Sequence, residues 1–354
     1  MLSTRDDAAL VALLIPAMQV GGDLHVEGPV TDELVYRLHH RYQDMLRSVI
    51  PAVRPIRIIA PDQVLAGVRP TAVATGFSAG VDSFAVLADR FYDERVPPSL
   101  RVTHLLFNNT GSHDDAGDGA HALFWDRYEH ASRVADRIGL PIFAVDSNLT
   151  EVFAPTGWNF RQTNTPRNAS VAFLLQNGFG SWLYASSPTY RYIRAEEHFD
   201  SSATDPMALP LLSTSSLQLE SDGGQHTRFD KIMRIAEIPD TYWSLDVCVV
   251  GELGGNCSRC FKCLRTLAAL EIGGVLDRYA AVFDFAIWQR ERDQYLAFMK
   301  VSREPLVKEL VIEARRRHCQ LPRATPLRLV PPFYEYATGE LARYCGKLRE
   351  VLRS

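Results

Sequence analysis

The sequence predicts an α/β protein: an open parallel sheet with helices on both faces, then a four-cysteine knuckle and a helical C-terminal region. Three observations predict it. Short apolar runs alternate with helically periodic stretches between residues 71 and 185, as parallel strands joined by crossover helices require. A strand, a small-residue turn and a helix start follow one another without a break across Thr71–Phe91. Four of the six cysteines crowd between Cys248 and Cys263.

The first seventy residues read as an accessory region. Ala8–Met18 is apolar, but Asp6 and Asp7 precede it and a single Arg5 makes no basic start, so it is not read as a signal-peptide core. Asp23–Glu27 alternates like a short strand, Thr31 opens a helix whose stripe runs from Leu34 to Ile50, and Ile56–Ala60 adds a strand. His25, His39 and His40 are read as ordinary histidines without chemistry.

In the next stretch, Ala72, Val73, Ala74 and Phe77 form a buried strand. Ser78-Ala79-Gly80-Val81-Asp82-Ser83 turns the chain, and Phe84, Leu87, Ala88 and Phe91 mark one face of a helix. Strands follow at Val102–Phe107, Leu140–Val145 and Trp182–Ala185, with helices over Leu123–Ile138 and Ala169–Leu175. Ligands of such sheets sit at the carboxyl ends of the strands. That edge collects Ser78–Ser83, Asn108-Asn109-Thr110-Gly111, Asp146-Ser147 and Ser186-Ser187. Ser187–Gln225 reads as one long irregular segment, and Asp114, Asp115 and Asp118 as an acidic solvated loop.

A small-residue turn at a helix start lets a ligand approach the backbone and offers N–H groups to an anion, which points to phosphate. The turn has no lysine after Gly80 and is not G-x-G-x-x-G, so neither common nucleotide loop applies. The cysteines follow the spacing Cys248-x8-Cys257-x2-Cys260-x2-Cys263. Four thiolates close a tetrahedron around Zn²⁺ and leave no open position, so the ion would be structural. An iron–sulfur cluster is the competitor, but Leu264–Leu267 lacks the further cysteine of a ferredoxin run. Cys319 and Cys345 read as buried thiols in helical segments, and Arg315–Arg317 as a solvated basic helix end.

With 46% hydrophobic residues, 23% charged residues and a net charge of −4 over 354 residues, the composition excludes disordered, membrane and strongly nucleic-acid-binding classes. A cytoplasmic protein is expected, with no membrane partner. Nucleic-acid binding through a local patch and homo-oligomerisation stay open.

Ser78, Gly80, Asp82 and Ser83 match the S-G-G-x-D-S loop of the PP-loop ATP pyrophosphatases, which the turn resembles. Ala79 replaces the first glycine, so the backbone there is expected to avoid positive φ. Loop and cysteines together resemble 7-cyano-7-deazaguanine synthase and its relatives over roughly residues 71–270. Thr165-Pro166-Arg167-Asn168 resembles that family's helix-opening element, and Leu209-Pro210-Leu211-Leu212 its Pro-Leu stretch before a lysine-bearing helix, with Lys231 as counterpart. Ser186–Tyr192 departs from the family's substrate segment, and residues 1–70 and the tail after Gly274 have no place in it.

The resemblance implies a Rossmann-like PP-loop fold in residues 71–247 and a zinc knuckle with its helix in 248–275, while periodic stretches near Leu306–Ala314 and Leu341–Leu352 read as a helical region in 276–354. It implies an ATP- and Mg²⁺-dependent ligase that adenylates a carboxylate or amide oxygen and lets ammonia or another nucleophile displace AMP. Ser78, Ala79, Gly80, Val81, Asp82, Ser83 and Asn108 would bind the nucleotide, and Asp82, Ser83, Arg167 and Lys231 would be catalytic. Zn²⁺ would sit on Cys248, Cys257, Cys260 and Cys263. The alternatives are a thiolase or tRNA-modifying ligase of the same superfamily, and a non-catalytic zinc-knuckle binding module.

Overall fold

The computed structural model describes residues 2–112, 118–197, 200–248 and 255–322, with residues 118–120 as backbone alone. The chain divides into two compact units, Met1–His226 and Thr227–Ser354.

The first unit opens with α1 (Asp7–Val20), which buries Leu10, Val11, Leu14, Ile15 and Met18 and ends at Gly21 in the left-handed region. Asp7 is buried too, because its carboxylate accepts the Thr31 backbone N–H and the Thr31 hydroxyl at 2.7 Å and the Gln176 amide at 2.9 Å. Two short parallel pairs follow: β1 (Leu24–His25) with β3 (Ile58–Ile59), and β2 (Val30–Thr31) with β4 (Gln63–Val64). Between them α2 (Asp32–Arg37) passes through a widened turn at Leu38–Tyr42 into α3 (Gln43–Val49). His39 is structural, since its Nε2 accepts the Ile58 N–H at 2.8 Å.

The central sheet is entirely parallel. β5 (Val73–Gly76) leads into α4 (Val81–Leu87), β6 (His104–Asn109) into α5 (Asp118–Ile138), and β7 (Ile142–Asp146) into α6 (Leu149–Phe153) and α7 (Phe160–Leu174). β8 (Ser181–Ala185) is followed by α8 (Asp205–Leu212) and β9 (Gln218–Asp222). The strand order is β7-β6-β5-β8-β9. The chain builds outward from β5 on one side, then crosses back to add β8 and β9 on the other. The order therefore reverses beside β5, at the turn Ser78–Ser83. One apolar core joins the N-terminal helices, α7, α8 and the sheet, including Leu14, Leu38, Ala74, Phe173, Trp182 and Leu209.

Three expectations are corrected. Thr165–Asn168 does not open a helix: α7 starts at Phe160, where Asn159 and Gln162 form a capping box, and Pro166 lies inside it. Proline costs the helix one hydrogen bond there, and the upstream cap outweighs that signal. Ser187–Gln225 is not irregular throughout. It holds α8 and β9, because Leu209, Leu212, Leu217 and Leu219 are driven into the core despite the prolines around them. The third concerns Cys319, which is half-buried and lies beyond the helix end, after His318 adopts positive φ.

The second unit is helical: α9 (Arg228–Ile235), α10 (Thr241–Ser244), α11 (Phe261–Gly273), α12 (Phe285–Met299) and α13 (Pro305–Arg316). α13 covers the periodic stretch Leu306–Ala314, and its last turn carries exposed Arg315 and Arg316. Leu341–Leu352 and Cys345 lie outside the described residues, as do Asp114 and Asp115. Among the described residues no helix is long and apolar enough to cross a membrane.

Candidate functional site

The Ser78–Ser83 turn leaves the carboxyl end of β5, with Gly80 as N-cap of α4 and Ala79 fully buried. Ala79 corrects an expectation, since its φ is +56°. Alanine there takes the left-handed conformation that the matching glycine would take freely, at a cost of about 1–2 kcal/mol. Burial of its methyl group holds it. The Ser83 hydroxyl donates to Gly80 O at 3.0 Å, Ser78 is exposed and Asp82 half-exposed. The first backbone N–H groups of the helix have no partner within it.

Across the edge, Asn108 stands near the end of β6, and its Oδ1 is buried with no hydrogen-bond partner among the described residues. A buried acceptor left this way is costly, so a donor from a ligand or water fits there. Gly111 follows with φ +106°, and a Cβ on it would stand 2.5 Å from Arg167 Nη1. Glycine therefore lets the guanidinium reach the end of β6. Arg167 is 3% exposed, donates to Leu149 O at 3.3 Å and lies 3.8 Å over the Phe153 ring. Its neighbour Asn168 accepts the Thr110 hydroxyl at 3.3 Å and donates to Tyr184 OH at 3.3 Å. Thr110, Gly111, Arg167, Asn168 and Tyr184 thus meet at the strand ends, a grouping of which the sequence suggested only parts.

Beneath them lies a buried polar cluster. Asp205 Oδ1 accepts the Thr165 hydroxyl at 2.6 Å, Thr165 Oγ1 is 3.0 Å from Ser201 Oγ, and Ser201 donates to Asn164 at 2.9 Å. These contacts tie α8 and its approach to α7, two residues before Arg167. Burial holds the Asp205 carboxyl well above its ordinary value, with the Thr165 bond opposing and Asp200 adding to the rise. Burial, with Asp205 and Asp200 nearby, likewise raises Tyr184. Folding therefore disfavours ionised Asp205: the penalty is absent below its ordinary value of 3.8 and grows as pH rises toward the folded-state value. Asp205→Asn is expected to melt at a higher temperature than wild type at neutral pH. Thermal melts across pH check this, and the gain should vanish in acid.

Beside this group is a residue that the sequence reading passed over. His121 Nδ1 lies 3.0 Å from Asp146 Oδ2, and Trp125 Nε1 donates to His121 Nε2 at 3.0 Å. Asn109 Nδ2 donates to Asp146 Oδ1 at 2.7 Å. The spacing of His121 and Trp125, one helical turn apart on α5, was the available signal.

Lys231 belongs to the second unit, on α9, and is 1% exposed. Its charge helps to lower the pKa of Glu309 on α13, against the stronger upward push of that carboxyl's burial. The second unit also holds the cysteine cluster. Cys260 is the N-cap of α11 and Cys263 lies in its first turn, so the helix start supplies two ligands. Ser258, at φ +55°, folds the knuckle, and the Cys260 N–H donates to Cys257 Sγ at 3.2 Å. Asn256 braces it by accepting the Val247 N–H at 2.8 Å and donating to Leu245 O at 2.7 Å.

The sulfurs of Cys248 and Cys260 are 3.9 Å apart, those of Cys257 and Cys263 3.9 Å, and those of Cys260 and Cys263 3.4 Å. All four ligand atoms lie within 4.8 Å of one another. Zinc–sulfur bonds of about 2.3 Å in a tetrahedron put sulfurs ~3.8 Å apart, so the donor set fits one Zn²⁺. Hydrogen bonding to Cys248 and Cys260, then burial, pushes the Cys263 thiol up. A bound cation reverses that preference by drawing the thiolates to itself.

Fold and site define an α/β protein with a five-stranded parallel sheet and a four-cysteine cluster able to hold a metal ion. No protein-family model matches the chain, and no curated protein matches it either.

Proposed function

We propose that the protein is an ATP-dependent ligase that adenylates a carboxylate or amide oxygen of its substrate, releases pyrophosphate, and then loses AMP to ammonia or another nucleophile. The observation that carries this reading is the Ser78–Ser83 turn at the end of β5, where the strand order reverses and α/β sheets bind ligands. Backbone N–H groups of Gly80, Val81, Asp82 and Ser83, with the Ser78 and Ser83 hydroxyls, would hold the terminal phosphates as the leaving pyrophosphate. The absence of a phosphate-binding lysine in the turn leaves the α phosphorus for the substrate. Asn108 would accept from the nucleotide through its orphaned Oδ1. Arg167 would offset charge developing on the phosphates, a role supported by its place beside Gly111.

The half-exposed Asp82 carboxylate would be the oxygen ligand that the turn offers Mg²⁺, which would offset phosphate charge. Lys231, buried on α9, would add a second positive charge to offset the phosphates, as the resemblance implies. Zn²⁺ would be structural, since four thiolates leave no position for water.

The bond that is broken tests this reading. Purified protein, labelled ATP and cell extract freed of nucleotides as the acceptor source are expected to give enzyme-dependent AMP and pyrophosphate. Enzyme-dependent ADP would exclude adenylation.

A further inference from the structure

Resting on the adenylation reading, we propose that His121 is the general base that takes the proton from the attacking nitrogen nucleophile, with Asp146 and Asn109 as positioning residues. The indole N–H of Trp125 can only donate, so His121 Nε2 accepts it at 3.0 Å. The ring hydrogen then sits on Nδ1 and is donated to Asp146, 3.0 Å away. Asp146 is itself fixed by Asn109 at 2.7 Å. The two hydrogen bonds thus fix the ring's orientation and leave Nε2 as its accepting nitrogen, the arrangement a general base requires.

Its place supports the role. Asn109 ends β6 and Asp146 ends β7, so the pair lies on the sheet edge that carries the Ser78–Ser83 turn. Asp146 is two strands from β5, about 10 Å by ordinary strand spacing, which an acyl adenylate can span. The His121 side chain is 63% exposed, so a nucleophile can reach it. The Trp125 indole, itself 43% exposed, marks Nε2 as the accepting nitrogen, and it gives up that lone pair to the nucleophile's N–H when the nucleophile enters.

In the step, the nitrogen lone pair forms the C–N bond to the acyl carbon, and the proton moves to His121 Nε2. The bond from acyl carbon to phosphate oxygen breaks, and AMP leaves with its electron pair. The imidazolium, stabilised by Asp146, returns its proton to water.

The test uses the full-length protein with labelled ATP, the nucleotide-free extract as acceptor source, and ammonium chloride or hydroxylamine as nucleophile. Hydroxylamine traps acyl adenylates without an enzymic base. In His121→Ala, ammonium-dependent AMP release is expected to fall about 10²–10⁴-fold. ATP–pyrophosphate exchange and hydroxamate formation should persist, and added imidazole should restore the ammonium-dependent step. Unchanged ammonium-dependent release would overturn the role of His121 while leaving adenylation standing. Loss of both steps without imidazole rescue would make the residue structural and overturn it equally. No AMP or pyrophosphate from the wild-type protein would remove the adenylation reading, and this role with it.

Discussion

Stripping the metal from the cysteine cluster is expected to unfold much of the second unit. Cys248, Cys257, Cys260 and Cys263 place their sulfurs within 4.8 Å of one another, and without a cation four thiols, two of them buried, would crowd together. Structural zinc contributes roughly 10–16 kcal/mol in small zinc-binding domains, against about 5–15 kcal/mol for the whole stability of a typical domain. A colourless protein with about one zinc per chain is expected, and a strong chelator should abolish its cooperative melt. Cys260→Ser should do much the same, because it removes one of the four sulfurs, at the N-cap of α11. Metal analysis and circular dichroism before and after chelation check this. Brown protein containing iron and labile sulfide would replace zinc with a cluster.

The second large effect is expected on turnover. Asp82→Asn and Ser83→Ala should each lower ATP-dependent AMP formation by about 10²–10³-fold, the usual loss when a group that stabilises transferring charge is removed. Stability should change little. Asp82 is half-exposed in the first turn of α4, and the Ser83 side chain bonds to Gly80 O within the same turn. Melting curves and zinc content beside the AMP assay separate the outcomes. Unfolding of both variants would make the turn structural, and unchanged turnover would take it out of the site.

Much of the sheet was legible because buried parallel strands are short apolar runs between periodic helices. β5, β7 and β8 fall within a few residues of their expected places, and α5 carries the stripe that Leu123, Val134 and Ile138 announce. β9 was not legible. Gln218-Leu219-Glu220-Ser221-Asp222 has one strongly apolar residue, and only pairing with β8 makes it a strand. The start of α7 lies ahead of the proline that marks Thr165–Asn168 because the Asn159–Gln162 capping box sets it. Ala79 misled for a physical reason: propensity argues against alanine at positive φ, while burial of the turn imposes it.

By itself the sequence determined the α/β class, the order of the first four sheet strands along the chain, the small-residue turn Ser78–Ser83 and the four cysteines, because each is local in spacing or period. Tertiary structure alone decided the strand order β7-β6-β5-β8-β9, and with it the reversal beside the turn. It also decided the approach of Arg167 to Gly111, the burial of Asp205 against Thr165, and the contact of His121 with Asp146. These pairs join residues 25 to 56 positions apart, and no local propensity encodes such distances. Closing those loops costs chain entropy that only burial of the shared core offsets.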